Sequence, residues 1–463
     1  MTLMAGFLLL AAPLLSPQLD MQEGPLRGQL YSRGLATNGT SVPISGAVTA
    51  PNCTRIYLIV TRDGLPWSTD MNDLHYSGGN AQFAFSTWIE AGLYDYAFEL
   101  RLEANGQTQR ASFVGDVVCG DAFLINGQSN AVAGDYHQEG RGNADQSRWV
   151  RSYGSAGTSA SAVTADDRWH VADGIEFHGS GTVGSWGLRA ARLISDQYQI
   201  PIALFNGAVG GTYVSQHARD DGNPENLLTI YGRLLYRARK AGLDQTVRGL
   251  LWHQGESDGQ TPPSQYLAAW GDLRDDWIRD YPSLEQVFMF QVRRGCGISN
   301  MKIRELQRTC GDVFANVTVL PTAGVDEHDG CHFRYAGYRE MGTWMAAAMA
   351  KVLYGEMISP SKNPPNLKEA RFTSTARDEI ELLFRGPNQL LVLDAGIESH
   401  MTLGVGVPET IVSAAASPGK ITLQLSGSTL ATEVIYRGHI GTGPWIRNTA
   451  GVGAFTFRVP ILP

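Results

Sequence analysis

Between Asp121 and Leu353 short apolar runs alternate with longer stretches of helical periodicity, and this alternation constrains the fold more than any other feature of the chain. Five runs read as strands: Ala122–Asn126, Ile202–Asn206, Gly249–Gln254, Val287–Val292 and Val317–Thr322. Gly187–Tyr198, Asn226–Lys240, Ser264–Asp280, Asn300–Gly311 and Tyr335–Leu353 read as helices, with Ser185 and Asn300 as N-caps. A strand that returns through a helix lies parallel to its neighbour, and a parallel sheet is buried on both faces. The pattern therefore predicts an α/β fold in three αβα layers around a five-stranded parallel sheet.

The 463 residues exceed what one core holds, since cores stop growing near ~250–300 residues. Before the α/β region, about Gly24 to Val118, short runs such as Ile56–Thr61 and Tyr94–Leu102 alternate apolar and polar positions between Gly/Asn/Asp clusters. After it, Ser359–Pro365 reads as a linker and Phe372–Pro463 returns to short strands and turns. The expected division is a signal peptide in residues 1–20, an Ig-like β-sandwich in 21–117, the α/β domain in 118–357 and a C-terminal β-sandwich in 366–463. Tyr153–Ala165, rich in Gly, Ser, Ala and Thr, reads as part of a long loop between the first two strands.

The formal net charge of -8 argues against a nucleic-acid partner, which a concentration of Lys and Arg would attract. The apolar stretch Ala5–Leu15 is too short to span a bilayer and suits a signal-peptide core, although no Lys or Arg precedes it. Export to the periplasm or medium is expected, and no membrane-spanning helix. The five cysteines form no C-x-x-C pair, so no structural zinc site is expected. Cys53–Cys119 and Cys296–Cys310 are candidate disulfides with one spare thiol, five inert thiols being the other reading.

In an open α/β sheet ligands bind at the carboxyl ends of the strands. The first strand runs into Gly127-Gln128-Ser129-Asn130, where a serine on a strand-to-helix turn presents its hydroxyl and N–H to one space. The second runs into Gly207-Ala-Val-Gly210-Gly211-Thr212, whose glycines allow a close backbone approach. The third runs into Trp252-His253-Gln254-Gly255-Glu256-Ser257-Asp258, where Gln254 offers an amide donor. After the fifth comes Asp326-Glu-His-Asp329-Gly-Cys-His332, where Asp329 can orient the His332 imidazole. Alone, each block has an ordinary reading: an N-cap, a tight turn, a buried glutamine, a polar helix cap. One shared crevice accounts for all four.

These four blocks, taken in order, resemble those of the SGNH hydrolases, and more narrowly their sialate O-acetylesterase-like branch, which carries Gln at the third block. Gly184-Ser-Trp-Gly and Arg304-Glu-Leu-Gln-Arg308 resemble that branch too. The resemblance covers roughly Val118–Leu353. It implies a flavodoxin-like SGNH domain and a serine esterase acting on acetylated carbohydrate through an acyl-enzyme, without metal or other cofactor. Ser129 would be the nucleophile, His332 the general base and acid, and Asp329 its orienter. The N–H of Ser129, the N–H of Gly210 or Gly211 and the Gln254 amide would face the oxyanion. This chain departs from the family in Cys331, between Asp329 and His332, and in Arg293-Arg294. Tyr136, Trp169 and Tyr213 are candidate crevice aromatics.

Gly255-Glu-Ser257-Asp-Gly259 also matches the G-x-S-x-G nucleophile elbow. The elbow needs a helix directly after its serine, and Pro262-Pro263 oppose one there. Ser257 is therefore read as structural. Two other functions stand beside the esterase reading. A carbohydrate-binding or display module would keep the sandwiches and lose part of the triad. An esterase for lipid or aryl esters would carry a wide apolar pocket.

Overall fold

The computed structural model describes residues 19–296, 301–357 and 363–463. The Ala5–Leu15 stretch, Asn300 and much of Ser359–Pro365 lie outside the described residues. The chain divides into two compact units. The first holds the residues up to Gln29 with Gly34–Glu90 and Tyr94–Val118; the second holds Leu30–Arg33, Ala91–Leu93 and Cys119–Pro463.

The first unit is antiparallel β-structure. Gly39–Val48 pairs with Leu19–Glu23 and Ala81–Glu90, and Arg55–Arg62 pairs with Leu65–Asp73 and Tyr96–Ala104. Ala81–Glu90 alternates strictly between buried and exposed positions, the pattern of a sheet with one covered face.

In the second unit six parallel pairing partners form the centre of the sheet. Their order is Val150–Tyr153, Ile202–Asn206, the C-terminal part of Gln107–Gly127, Val247–His253, Gln286–Gln291 and Val317–Pro321. Trp169–Val171 adds an antiparallel edge. The sheet thus exceeds the five strands expected. Val150–Tyr153 falls within the expected insertion between the first two strands; it carries Arg151 and Ser152, both buried, where an apolar run would signal a strand. Helices Ser185–Tyr198, Ile230–Lys240, Pro263–Asp280, Met301–Val313 and Tyr335–Leu353 separate the strands. Ser185 is the first helical residue rather than the cap, which is Gly184, and its Oγ donates to the Gly174 carbonyl. The prolines after Ser257 follow a short 3-10 turn, and Pro263 opens the next helix at its first position, where a missing N–H costs nothing.

Residues Leu367–Leu462 form a seven-stranded sheet and a two-stranded ribbon. Leu382, Ile421, Leu423, Tyr436 and Phe457 lie in a separate apolar core there.

The cysteine pairing differs from both expected bridges: Cys296 is bonded to Cys331, and Cys53, Cys119 and Cys310 are free. Cys310 is buried on the inner side of its helix. Cys331 reaches Cys296 because both follow strands that end at the same edge of the sheet. Among the described residues no helix is long and apolar enough to cross a membrane.

Candidate active site

The central strand ends at Gly127, whose φ is 135° and where a Cβ would lie 2.1 Å from the His253 carbonyl oxygen. Only glycine fits that turn. Gln128 N–H donates to His253 O (2.9 Å), and Gln128 Oε1 accepts from the N–H groups of Gly255 and Ser257 (3.2 Å each). The third block is thereby fastened to the first. Ser129 then opens a four-residue helix, Ser129–Val132, closed by Ala133 in the left-handed region. The second block sits alongside: Val209 N–H donates to Gly127 O (3.0 Å), and a Cβ on Gly210 would stand 3.6 Å from the Ser129 Cβ. Gly211, with φ 73°, is exposed and has open space around it.

The Asp329–His332 turn closes on itself. Asp329 Oδ1 accepts the N–H groups of Cys331 (2.7 Å) and His332 (2.8 Å), and Asp329 N–H donates to His332 O (3.0 Å). The His332 ring lies flat on Tyr136, with centroids 4.0 Å apart and planes 9° from parallel. Tyr136 Oη donates to the Ser129 carbonyl (3.0 Å), so one side chain touches both the serine turn and the imidazole. His137 Nε2 stands 3.7 Å from Asp329 Oδ2. The structure thus gathers Ser129, Gly210, Asp329 and His332 into one region. No hydrogen bond joins Ser129 Oγ to the His332 ring, and the Asp329 carboxylate is engaged by backbone N–H groups rather than by the imidazole. Burial pushes the His332 imidazole below its ordinary value, against the opposite pull of Asp329. Asp329 lies below the usual carboxylate range: burial works against this, and the Cys331 and His332 N–H groups outweigh it.

Asn130 is the residue on which the site is hung, and motif reading missed its role. Its Nδ2 donates to Glu256 Oε1 (2.9 Å) and to the Cys331 carbonyl (3.1 Å), and its Oδ1 accepts from Tyr338 Oη (3.0 Å). Its own carbonyl accepts the Trp186 indole N–H (2.7 Å). Glu256 also pairs with His253 at 3.1 Å. Burial opposes the charge on Glu256, yet His253 and Asn130 hold its carboxyl below the ordinary value. Asn130 and Glu256 stand inside the quoted blocks, which is the signal that could have marked them. Tyr136 stands outside those blocks, and of the three candidate crevice aromatics it is the one that meets the His332 ring.

Gln254 is not presented to the crevice. It is fully buried, and its Nε2 donates to the Thr212 carbonyl (3.1 Å), to Gln128 Oε1 (3.4 Å) and to the Asp258 carboxylate. A side chain at a strand end points to whichever face the local twist dictates, and here that face is the interior. Gln254→Ala is expected to lower Tm, by about 2 kcal/mol of stability or more, because it leaves buried acceptors unpaired. The kcat of the folded protein should stay within about tenfold of wild type, since an oxyanion donor is worth roughly 10²–10³. A stable Gln254→Ala protein with kcat down a hundredfold would restore the oxyanion role. Trp169 is likewise in the core, packed on Tyr153 and Phe205, whereas Tyr213 is exposed beside Thr212. Among the described residues no group of three or more His, Cys, Asp or Glu side chains is placed to hold a metal ion.

Residues 119–351 match the family described as carbohydrate esterase, sialic acid-specific acetylesterase. Among solved structures, a carbohydrate acetylesterase from Xanthomonas citri is similar over 96% of this chain and 99% of its own, at 18% identity and a TM-score of 0.63. A protein from Arabidopsis thaliana covers 50% of this chain and 97% of its own at 21% identity, with a TM-score of 0.39. A family two carbohydrate esterase from Cellvibrio japonicus covers 73% and 96% at 10% identity, with a TM-score of 0.31. The first of these shares the fold of this chain. No curated protein matches the chain. The class so defined is that of carboxylic ester hydrolases. The chain belongs to the carbohydrate esterase family of sialic acid-specific acetylesterases.

Proposed function

We propose that the protein hydrolyses O-acetyl esters on carbohydrates, O-acetylated sialic acids among them, through an acyl-enzyme on Ser129. The observation that carries this is the convergence of Ser129, Gly210 and the Asp329–His332 turn at the carboxyl ends of the parallel strands. His332, turned from Tyr136 toward Ser129, takes the hydroxyl proton as Oγ attacks the acetyl carbonyl. Catalytic hydrogen bonds are commonly long or unformed before substrate binds. The oxyanion faces the N–H groups of Ser129 and Gly210, which no acceptor among the described residues takes. The alcohol leaves with the proton from His332, and water, activated by the same imidazole, releases acetate. Asp329 fixes the turn and favours the imidazolium. The family match and the parallel strands support an SGNH-type αβα layer, with the flanking β-sheets read as sandwiches. Export remains our reading of Ala5–Leu15, and the Cys296–Cys331 bond accords with an oxidising compartment.

The test is acetate release from a panel of O-acetylated sialic acids, acetylated xylo-oligosaccharides and acetylated aryl alcohols. Preference for the sugars supports the reading, and turnover confined to aryl esters sinks it. The pH profile gives a second check. His332 must be neutral to act as base, so kcat/KM falls as pH drops through the free-enzyme pKa. Burial places that midpoint below the ordinary imidazole value of about 6.5. Removing the stacked ring in Tyr136→Ala readmits water and is expected to move the midpoint upward. An acid limb at or above the ordinary value in the wild type would contradict the assignment.

A further inference from the structure

The Asp329–His332 turn bonds mainly to itself, so its position depends on a few outside contacts. Three of these come from one side. Asn130 Nδ2 holds the Cys331 carbonyl, Tyr136 stacks on the His332 ring, and His137 approaches Asp329. All belong to the segment that begins at Ser129. From the opposite side, past the end of the Gln286–Gln291 strand, the turn is tied covalently by the disulfide between Cys296 and Cys331, and noncovalently by Arg293 on His328, whose Nδ1 accepts the Gly330 N–H (3.0 Å). Cys331 thus carries a noncovalent tie on its carbonyl and a covalent tie on its side chain, and it is the residue directly before His332. Gly295, the neighbour of Cys296, lies against Gly330, where a Cβ would meet the Gly330 carbonyl at 3.1 Å. Without the covalent tie, Cys331 and the neighbouring His332 are held by noncovalent contacts alone, those from Asn130 and Tyr136 among them.

We propose that the Cys296–Cys331 disulfide is a positioning cross-link for the catalytic imidazole, and that the acetylesterase rate is set by its redox state. This rests on the assignment of His332 as the base. A dithiol such as dithiothreitol supplies two electrons and two protons: the S–S bond breaks, Cys296 and Cys331 become thiols, and the dithiol closes to its cyclic disulfide. Because a displacement of about 1 Å in a catalytic group can cost 10²-fold, the reduced enzyme is expected to lose roughly 10–100-fold in kcat. KM should move less than about twofold, since a group acting in the transition state contributes little to ground-state binding.

The experiment uses the full chain. Thiols are titrated in denaturant with and without prior dithiothreitol, and kcat, KM, Tm and the acid limb of kcat/KM are measured for both forms and after reoxidation. Three thiols before treatment and five after, with kcat down, KM held, the acid limb moved upward and activity regained on reoxidation, is the expected result. The Cys296→Ser/Cys331→Ser double variant should show the low kcat at the outset and no response to dithiothreitol. The proposal is overturned by five thiols in the untreated protein, by wild-type kcat in the reduced enzyme, or by a double variant that still responds. A loss of Tm with kcat and acid limb unchanged reduces the bond to a structural staple and also overturns it. Ser129→Ala, assayed in both redox states, separates the two claims. If it stays active, the mechanism above fails whatever the disulfide does; if it is inactive in both, only the cross-link is at issue.

Discussion

Ser129→Ala is expected to lower kcat for acetate release by roughly 10⁴–10⁶-fold, the range seen when the nucleophile of a serine triad is removed. The fold should not suffer. The turn is held by Gln128, by the Ala133 N–H on the Ser129 carbonyl and by the Tyr136 hydroxyl on the same carbonyl, contacts that do not use the Ser129 hydroxyl. An unchanged Tm beside the lost rate is therefore part of the prediction. Ser257→Ala is the matched control. Ser257 lies in a 3-10 turn and engages Gln128 through its backbone N–H alone, so its hydroxyl should be dispensable. An inactive Ser257→Ala with an active Ser129→Ala would move the chemistry to the G-x-S-x-G segment.

The second large effect belongs to a fully buried residue, Asn130. Asn130→Ala removes the donor to buried Glu256, the donor to the Cys331 carbonyl and the acceptor of the Tyr338 hydroxyl together. Each orphaned buried group costs about 1–3 kcal/mol, more where it is charged, so a loss of at least ~3 kcal/mol is expected. The Asp329–His332 turn, which carries the proposed base, is released at Cys331 as well, so kcat of the surviving folded protein should fall tenfold or more. Asn130→Asp is expected to be worse, because it sets a second carboxylate against Glu256 in the interior. Thermal melts and kcat on the same preparations decide it. Wild-type values of both in Asn130→Ala would show that the hydrogen bonds at this position do not hold the site.

The contrast between what was legible and what was not follows from the kind of information each feature needs. Ile202–Asn206, Val287–Val292 and Val317–Thr322 are apolar over most of their length because a buried parallel strand has two covered faces, and that leaves a mark on the residues themselves. Val150–Tyr153 leaves no such mark, since Arg151 and Ser152 are buried as polar groups. Ser129, Gly210, Asp329 and His332 can be grouped from the sequence because each follows a strand end, and strand ends of one sheet meet. Gln254 also stands at a strand end, but its direction depends on local twist, which no spacing encodes. The Cys296–Cys331 bond joins positions 35 apart whose proximity exists only after folding.

The loop leading to His332 is held by partners far along the chain. Asp326 accepts the Trp445 indole N–H (2.5 Å) and pairs with Arg447 (2.8 Å), while His328 Nε2 stands 3.1 Å from the Gly441 carbonyl. Buried Gln291 donates to the Thr456 carbonyl (2.8 Å), and Arg304 to the Arg437 carbonyl (2.8 Å). The segment that matches the family ends at residue 351, yet these struts, Arg437 to Thr456, lie 86 to 105 residues beyond it. The heritable signature and the mechanical machine therefore have different borders. A shuffling event, or an engineer, that exchanged the C-terminal strands as a detachable cassette would be replacing part of the frame that holds the loop before His332, and the new cassette would have to offer matching contacts at Asp326 and His328 to keep that loop in place.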